Sequence, residues 1–318
     1  SVGLLLGFFG TLLYLTSLNT APEHTFITWG SLLAQATSLD PFIAKMAFVF
    51  VFIGYGVKAG FAPMHTWLPD AHSKAPAPIS ALLSGVLLNV AFFTILKFKM
   101  ITDVSVGEEF TSAIFVVFGL LSVGIAAMII FVQRSYKRLL AYSSIENMGI
   151  MALGFGFGGI GAFAAVLHML YHSIIKSALF LLSGNMLLAY SSSKIKNVKG
   201  AMSVIPQTSV LFLVGIFAVA GVPPFGIFLT KLLMLSSGIE SYLVVSAVAL
   251  LLFAIVFMGL FKHTSAMLFG KKPEDVKKEK ESAWLVFPPL ALLALALYLS
   301  MYTPDTLRTL IERAVILY

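Results

Sequence analysis

The residues best suited to chemistry sit where they are most costly to keep. His168, His172 and Lys176 recur at steps of four inside an otherwise apolar run over 161–190. On a helix each such step drifts only about 40°, so the three side chains form one stripe along roughly 12 Å of axis. Histidine exchanges protons near neutral pH without leaving its ring geometry, and a lysine taken out of water can join that exchange, so the stripe has the makings of a proton wire. Two further lysines lie in apolar surroundings. Lys58 comes late in the run 42–61, five residues before Pro63, and Lys231 follows Pro223-Pro224 in the run 206–237. A lysine at the centre of a membrane helix costs roughly 2.5–3.5 kcal/mol, so Lys58, Lys176 and Lys231 together cost on the order of 8–10 kcal/mol before partners or water relieve them. Structural roles stay open beside the chemical one: a histidine satisfied within the core, or a lysine stem snorkelling to the surface. Snorkelling suits Lys45, Lys97 and Lys262 near the ends of their runs better than the central Lys176.

Other polar residues carry weaker signals. Asn89 stands alone in the body of 78–98 and suits either a water-mediated relay or a bond to a neighbouring helix. Glu146 follows Arg138 closely, which fits a first-turn interaction with the helix dipole or an acid on the proton-uptake side. His65 and His72 flank Asp70 in a polar turn, where a hydrogen-bonded cap competes with metal binding. His168 and His172 share one helix face, which is wrong for axial haem ligands, and no phosphate-binding glycine loop with its lysine is present. There is no cysteine, which removes thiolate metal sites, iron–sulfur ligation and disulfides from this chain. No metal site and no resident cofactor is expected. The glycines of Gly154–Gly159 lie in an apolar run, where small residues favour close helix packing.

These side chains must be positioned by helices in lipid. The 318 residues are 59% hydrophobic and 11% charged, against roughly 25% charged for a soluble chain, and the mean hydropathy is +0.96. Apolar runs cover 2–18, 42–61, 78–98, 110–132, 143–159, 161–190, 206–237, 241–269 and 283–301, all long enough or nearly so for one crossing of roughly 20 residues, and 206–237 too long for a plain one. An odd number places the two ends on opposite sides. The loops after the second, fourth, sixth and eighth runs carry Lys74; Arg134, Lys137 and Arg138; Lys194, Lys196 and Lys199; and Lys271, Lys272, Lys277, Lys278 and Lys280. The alternate loops hold Glu23, Asp40, Asp103, Glu108, Glu109 and Glu240, with Lys97 and Lys99 at a run end. The positive-inside rule therefore places the basic loops in the cytoplasm and the chain end at 318 outside. The net charge of +7 is thus a topology signal, and a nucleic-acid partner is not expected. Two runs are interrupted, at Gly60–Asp70 with Pro63 and Pro69, and at Gly221–Gly226 with Pro223 and Pro224. Proline removes a backbone donor and clashes with the preceding turn, so both helices should break there. Paired breaks of this kind mark ion sites in internally repeated transporters.

Lys58–His72, with Ala75-Pro76 and Ser80–Gly85, resembles the signature of the antiporter-like subunits of respiratory complex I, of Mrp-type cation/proton antiporters and of membrane-bound hydrogenases. Lys137–Ser144, the His168/His172/Lys176 stripe, and Gly221–Gly226 with Lys231 match later blocks of that family in the same order. The run Ser144–Gly149, with Leu87–Val90, is most similar to the hydrogenase-4 and formate-hydrogenlyase branch, component F in particular.

The resemblance implies an all-α, polytopic bundle of about fourteen helices in two inverted five-helix repeats, each with a broken helix. The present runs then correspond to the sixth to fourteenth helices, with the N-terminal part of the family fold missing. Residues 1–98 would be the last three helices of the first repeat, 110–269 the second repeat, 283–301 a final helix and 302–318 a tail. It further implies ion translocation, by protons or Na⁺, along Lys58, His168, His172, Lys176 and Lys231, with Asn89, Glu146, His65 and His72 as further relay candidates. The family glutamate that pairs with the Lys58 position belongs to a helix preceding Ser1, and several relatives carry a lysine where this chain has Asn89. The implied setting is the plasma membrane. The implied partners are other membrane subunits and a hydrophilic redox arm holding iron–sulfur clusters, with a nickel–iron centre in the hydrogenase branch. An Mrp-type Na⁺/H⁺ antiporter subunit and a structural subunit with an incomplete channel are the alternatives.

Overall fold

The computed structural model describes residues 2–16, 28–274, 276 and 280–315. Glu23, Lys277 and Lys278, counted above among the loop charges, lie outside them. The described residues form fifteen α-helices: α1 (Val2–Thr16), α2 (Trp29–Ala34), α3 (Pro41–Ala59), α4 (Trp67–Lys74), α5 (Ala77–Leu82), α6 (Leu88–Val106), α7 (Glu108–Ile130), α8 (Tyr136–Phe157), α9 (Ile160–Tyr190), α10 (Ala201–Val204), α11 (Pro206–Ala220), α12 (Gly226–Ser241), α13 (Leu243–Leu268), α14 (Ala283–Met301) and α15 (Asp305–Val315). A π-turn over Leu83–Leu87 joins α5 to α6. Among the described residues there is no strand, only a bridge between Ser135 and Lys194. Six helical stretches are long and apolar enough to cross a membrane.

Local chemistry starts several of these helices. Asp40 accepts from the backbone N–H groups of Phe42 and Ile43, both at 2.9 Å, with Pro41 in the first helical position. Pro206 opens α11, and the Glu281 carboxylate accepts the next two N–H groups, of Gln207 and Thr208, at 2.8 Å each. The negative charge also complements the positive end of the helix dipole.

The 31 residues of α9 extend about 46 Å, more than a bilayer core. By contrast α11 and α12, of 15 and 16 residues, reach only about 23–24 Å each. The expected break in 206–237 is therefore real, and neither piece alone matches the roughly 30 Å of a bilayer core. The run expected at 143–159 begins earlier, at Tyr136. Its helix α8 is too polar to qualify as a span by hydropathy, yet 20 of its 22 residues are buried. It is the central strut of the bundle, shielded from lipid by its neighbours. Lys137, expected in a basic loop, is the second residue of α8, where its buried Nζ donates to the Ala75 carbonyl at 2.7 Å. The 302–318 tail contains α15, an amphipathic helix that buries Ile311.

Glycines allow α8 to sit so deep. A Cβ on Gly154 would stand 2.7 Å from the Gly161 carbonyl of α9, and one on Gly156 would stand 2.7 Å from a Val116 methyl of α7. Gly154 and Gly156 provide the close packing expected of this run, whereas Gly158 and Gly159, with φ of 74° and 52°, make the turn between α8 and α9 and would meet nothing with an added Cβ. Large apolar side chains on the outer helices stay exposed, among them Val117 and Met128 on α7, Leu250 and Leu251 on α13, and Phe287 and Leu290 on α14. An apolar exterior around a polar central helix inverts the soluble pattern and suits a lipid solvent.

Candidate functional site

The two interruptions are built alike. After α3, Gly60 takes the left-handed conformation (φ 81°) and the Ala62–Pro63 peptide is cis. After α11, Gly221 does the same (φ 87°) and the Pro223–Pro224 peptide is cis. At the first break the freed Ala62 N–H donates to Ser122 Oγ of α7 at 3.0 Å, and Trp67 Nε1 reaches back to the Val57 carbonyl. At the second, the Ala220 carbonyl accepts from Lys231 Nζ at 3.1 Å. Backbone groups released by a break are thereby satisfied within the protein. Pro69, expected as a further break, does not interrupt anything. It occupies the third position of α4, in the first turn, where a missing N–H breaks no helical bond.

Lys231 is the centre of the second break. Its ammonium lies 2.9 Å from Glu146 Oε1 and 4.9 Å from the Phe253 ring centroid. Side-chain exposure is 7% for Lys231 and 0% for Glu146. Glu146 is not in a first turn, as its distance from Arg138 suggested, but in the middle of α8. Arg138 instead pairs with Asp70 at the exposed end of the helix. A cleft of about 340 Å³, lined by Gly221, Pro223, Phe228, Lys231, Leu250 and Phe253, opens beside the pair.

From Glu146 the polar contacts continue inward. Asn147 Nδ2 donates to Glu146 Oε2 and to the Ser143 carbonyl, both at 2.6 Å. Its Oδ1 must therefore accept, and the partner 2.9 Å away is His168 Nε2. That assigns the Nε2 proton, so in a neutral ring His168 Nδ1 accepts from Thr230 Oγ1 at 2.8 Å. The same hydroxyl also reaches the Ile227 carbonyl at 3.1 Å. Having one proton, it turns to Ile227 when His168 Nδ1 becomes protonated. The site can thus hold a second proton on His168 without moving a backbone atom.

Lys176, fully buried, donates to the Leu140 carbonyl and to Ser143 Oγ of α8. Its ammonium lies 5.7 Å from the Phe180 ring centroid, and His72 stacks on the same ring at 4.5 Å. Ser143 therefore joins the two halves of the network, taking Lys176 on its hydroxyl and Asn147 on its carbonyl. His172 and His72 are fully buried, and neither ring nitrogen of either finds a protein hydrogen-bond partner.

The remaining candidates are placed apart. Lys58 is half-buried over the Trp67 ring, 5.7 Å from its centroid, with no acidic partner within ion-pair distance among the described residues. Asn89 takes the helix-to-helix role: its Nδ2 donates to the Met169 carbonyl at 3.2 Å and to Ser173 Oγ, fastening α6 to α9. His65 lies edge-on to Tyr142, 5.9 Å between ring centroids. Among the described residues no three His, Asp or Glu side chains come together in a way that would hold a metal. Lys45, Lys97 and Lys262, expected to snorkel, each place the ammonium over a phenylalanine ring, Phe110, Phe93 and Phe131 respectively, with the stem laid along apolar surface.

Residues 1–260 match the family described as NADH:quinone oxidoreductase/Mrp antiporter, TM. The chain belongs to this family. It is 42% identical over 239 residues to the Hydrogenase-4 component F homolog of Methylacidiphilum infernorum (isolate V4), an alignment covering 74% of this chain and 50% of that protein. It is 31% identical over 265 residues to NADH-quinone oxidoreductase subunit M of Rickettsia conorii, covering 80% and 53% respectively. Among solved structures it resembles a chain of the membrane-bound sulfane sulfur reductase, an archaeal respiratory membrane complex, with a TM-score of 0.85 and 25% identity over 98% of this chain and 64% of that one. The chain spans about half the length of the curated relatives it matches. It is an antiporter-like, multi-pass membrane subunit, as its motifs implied, and the finer likeness to the hydrogenase-4 branch agrees with the first of these relatives.

Of the residues singled out in the sequence, His168, Lys176, Glu146 and Lys231 come together here and His172 stays outside the hydrogen bonds; Asn147, Thr230 and Ser143, which bond to them, were not singled out. The available signal was composition: Ser143, Ser144, Glu146 and Asn147 crowd one turn of an otherwise apolar run, more polarity than a lipid-facing helix tolerates.

Proposed function

We propose that this protein conducts protons across the membrane by way of Lys176, His168, Glu146 and Lys231, the groups that can gain and lose a proton, with Ser143 and Asn147 holding them in one hydrogen-bonded network and His168 taking up and releasing a proton midway. The observation that carries this reading is the buried Glu146–Lys231 pair, continued by Asn147 to His168. A buried ion pair rarely stabilises a fold more than apolar residues of the same volume would, so its retention beside a helix break favours a functional role. A proton arriving on His168 frees Thr230 to bond Ile227, and Lys231 releases a proton toward the neighbouring cleft while Glu146 holds the compensating charge. Water at the unpartnered nitrogens of His172 and His72 extends the route toward α4, since buried ring nitrogens need partners.

In this reading the basic loops face the cytoplasm of a plasma-membrane complex, and partner subunits with an iron–sulfur redox arm drive the charge changes. The names of the relatives, a hydrogenase-4 component and an NADH-quinone oxidoreductase subunit, support that setting. Lys58 would serve a separate path at the first break, and the two similarly built breaks support the two-repeat division at 1–98 and 110–269.

The test is proton uptake into proteoliposomes containing the intact complex, driven by electron transfer. Glu146→Gln and Lys231→Ala should each lower the protons moved per electron at least tenfold with assembly unchanged. Undiminished pumping in either variant, or transport that follows Na⁺ rather than protons, would overturn the proposal.

A further inference from the structure

A second cavity, with basic side chains at its rim, lies where α7 ends and α8 begins. It has a volume of about 730 Å³ and is lined by Gln133, Arg134, Arg138, Lys194, Lys196 and His263, together with serines, and no acidic side chain lines it. Arg138 is neutralised by Asp70, and among the described residues Arg134, Lys194 and Lys196, all three exposed, have no acidic partner within ion-pair distance. The walls are fixed. Tyr136 N–H donates to the Ser193 carbonyl at 3.1 Å and Ile195 N–H to the Arg134 carbonyl at 2.9 Å, tying the two basic loops side by side. His263 Nε2 donates to the carbonyls of Ile130 and Phe131 at 3.0 and 3.2 Å, anchoring α13 to the end of α7. Three cations gathered on one cavity by a fixed backbone favour an anion that several of them share.

We propose that this cavity binds the phosphate of an anionic phospholipid headgroup. The membrane setting selects a lipid over a soluble anion. The cavity lies at the helix ends, and exposed apolar side chains continue from its lining residue Gln133: Val132, and Met128 one turn earlier on α7. An acyl chain can lie along this surface while the headgroup occupies the basic pocket. Juxtamembrane basic clusters and pockets between helices bind anionic headgroups by the same electrostatics.

The test is a native mass-spectrometric titration of the intact complex, delipidated and then exposed to phosphatidylglycerol or phosphatidylcholine. The wild-type complex should retain phosphatidylglycerol in preference to phosphatidylcholine. At about a factor of five per basic side chain, the triple variant R134Q/K194Q/K196Q should weaken phosphatidylglycerol binding roughly a hundredfold. The charge-conserving R134K/K194R/K196R should keep it, which separates lost charge from lost fold. Equal retention of the two lipids, or unchanged binding in the triple glutamine variant, would overturn the proposal. So would displacement of the lipid by millimolar inorganic phosphate, which would make free phosphate the occupant, or cross-linking of these lysines to an acidic segment of a partner subunit.

Discussion

The Glu146–Lys231 pair allows stability and transport to be pulled apart. In Glu146→Gln the Lys231 ammonium keeps the Ala220 carbonyl at 3.1 Å and the Phe253 ring but loses its counter-ion in a site only 7% exposed. In Lys231→Met the carboxylate keeps Asn147 Nδ2 and loses its cation. Removing one member of a buried pair costs about 3–5 kcal/mol, whereas replacing both by neutral groups of similar volume is often close to neutral. The single variants should therefore each be destabilised by about 3–5 kcal/mol, and the double variant E146Q/K231M by no more than about 2 kcal/mol. The corresponding interaction energy is at least about 4 kcal/mol, far above the roughly 0.5 kcal/mol within which independent sites add. Equilibrium unfolding in mixed detergent micelles gives the four stabilities, and proton uptake by the reconstituted complex gives the transport. The double variant should regain stability and stay silent in transport, because a neutral pair holds no exchangeable proton. Additive destabilisation would show that the two groups are not coupled as drawn. A double variant that pumps would show that they are coupled but not on the path.

Three further outcomes follow from particular contacts. Thr230→Val removes the hydroxyl from His168 Nδ1 and should lower proton flux while costing about 1–3 kcal/mol of stability; Thr230→Ser, which keeps the hydroxyl, should restore flux, and equal flux in both would show that the hydroxyl takes no part. Ser122→Ala leaves the buried Ala62 N–H without its acceptor and should cost about 1–3 kcal/mol, measured by the same unfolding assay, with Ser122→Thr close to wild type. Asp70→Asn breaks an ion pair whose side chains are 37% and 64% exposed, so its effect should stay within about 1 kcal/mol and fade at high salt.

Much of this protein was legible before any contact was known, because the decisive signals are local. Hydropathy reports the solvent of each run, and Gly and Pro mark where a helix cannot continue, so the crossings and the interruptions at Pro63 and Pro223 were readable directly. The periodicity of α9 placed His168, His172 and Lys176 on one stripe for the same reason. Local signals also misled. Pro69 lies in a first turn rather than at a break, since only the true helix start tells the two apart. Glu146 was placed in a first turn because α8, polar along one stretch and buried almost throughout, looked shorter than it is.

The pairings belonged to the tertiary structure. Glu146 and Lys231 are separated by 85 positions, and His168 and Thr230 by 62, so no spacing rule connects them. They meet because α8 is carried into the centre of the bundle by glycine contacts with α7 and α9, and because the second break turns α12 toward it. The amino-acid sequence alone determined that this is a chain of helices in lipid, with titratable groups kept at depth and two helices that must break. Folding decided which of those groups share protons, because a buried charge finds its partner only when distant helices close around it.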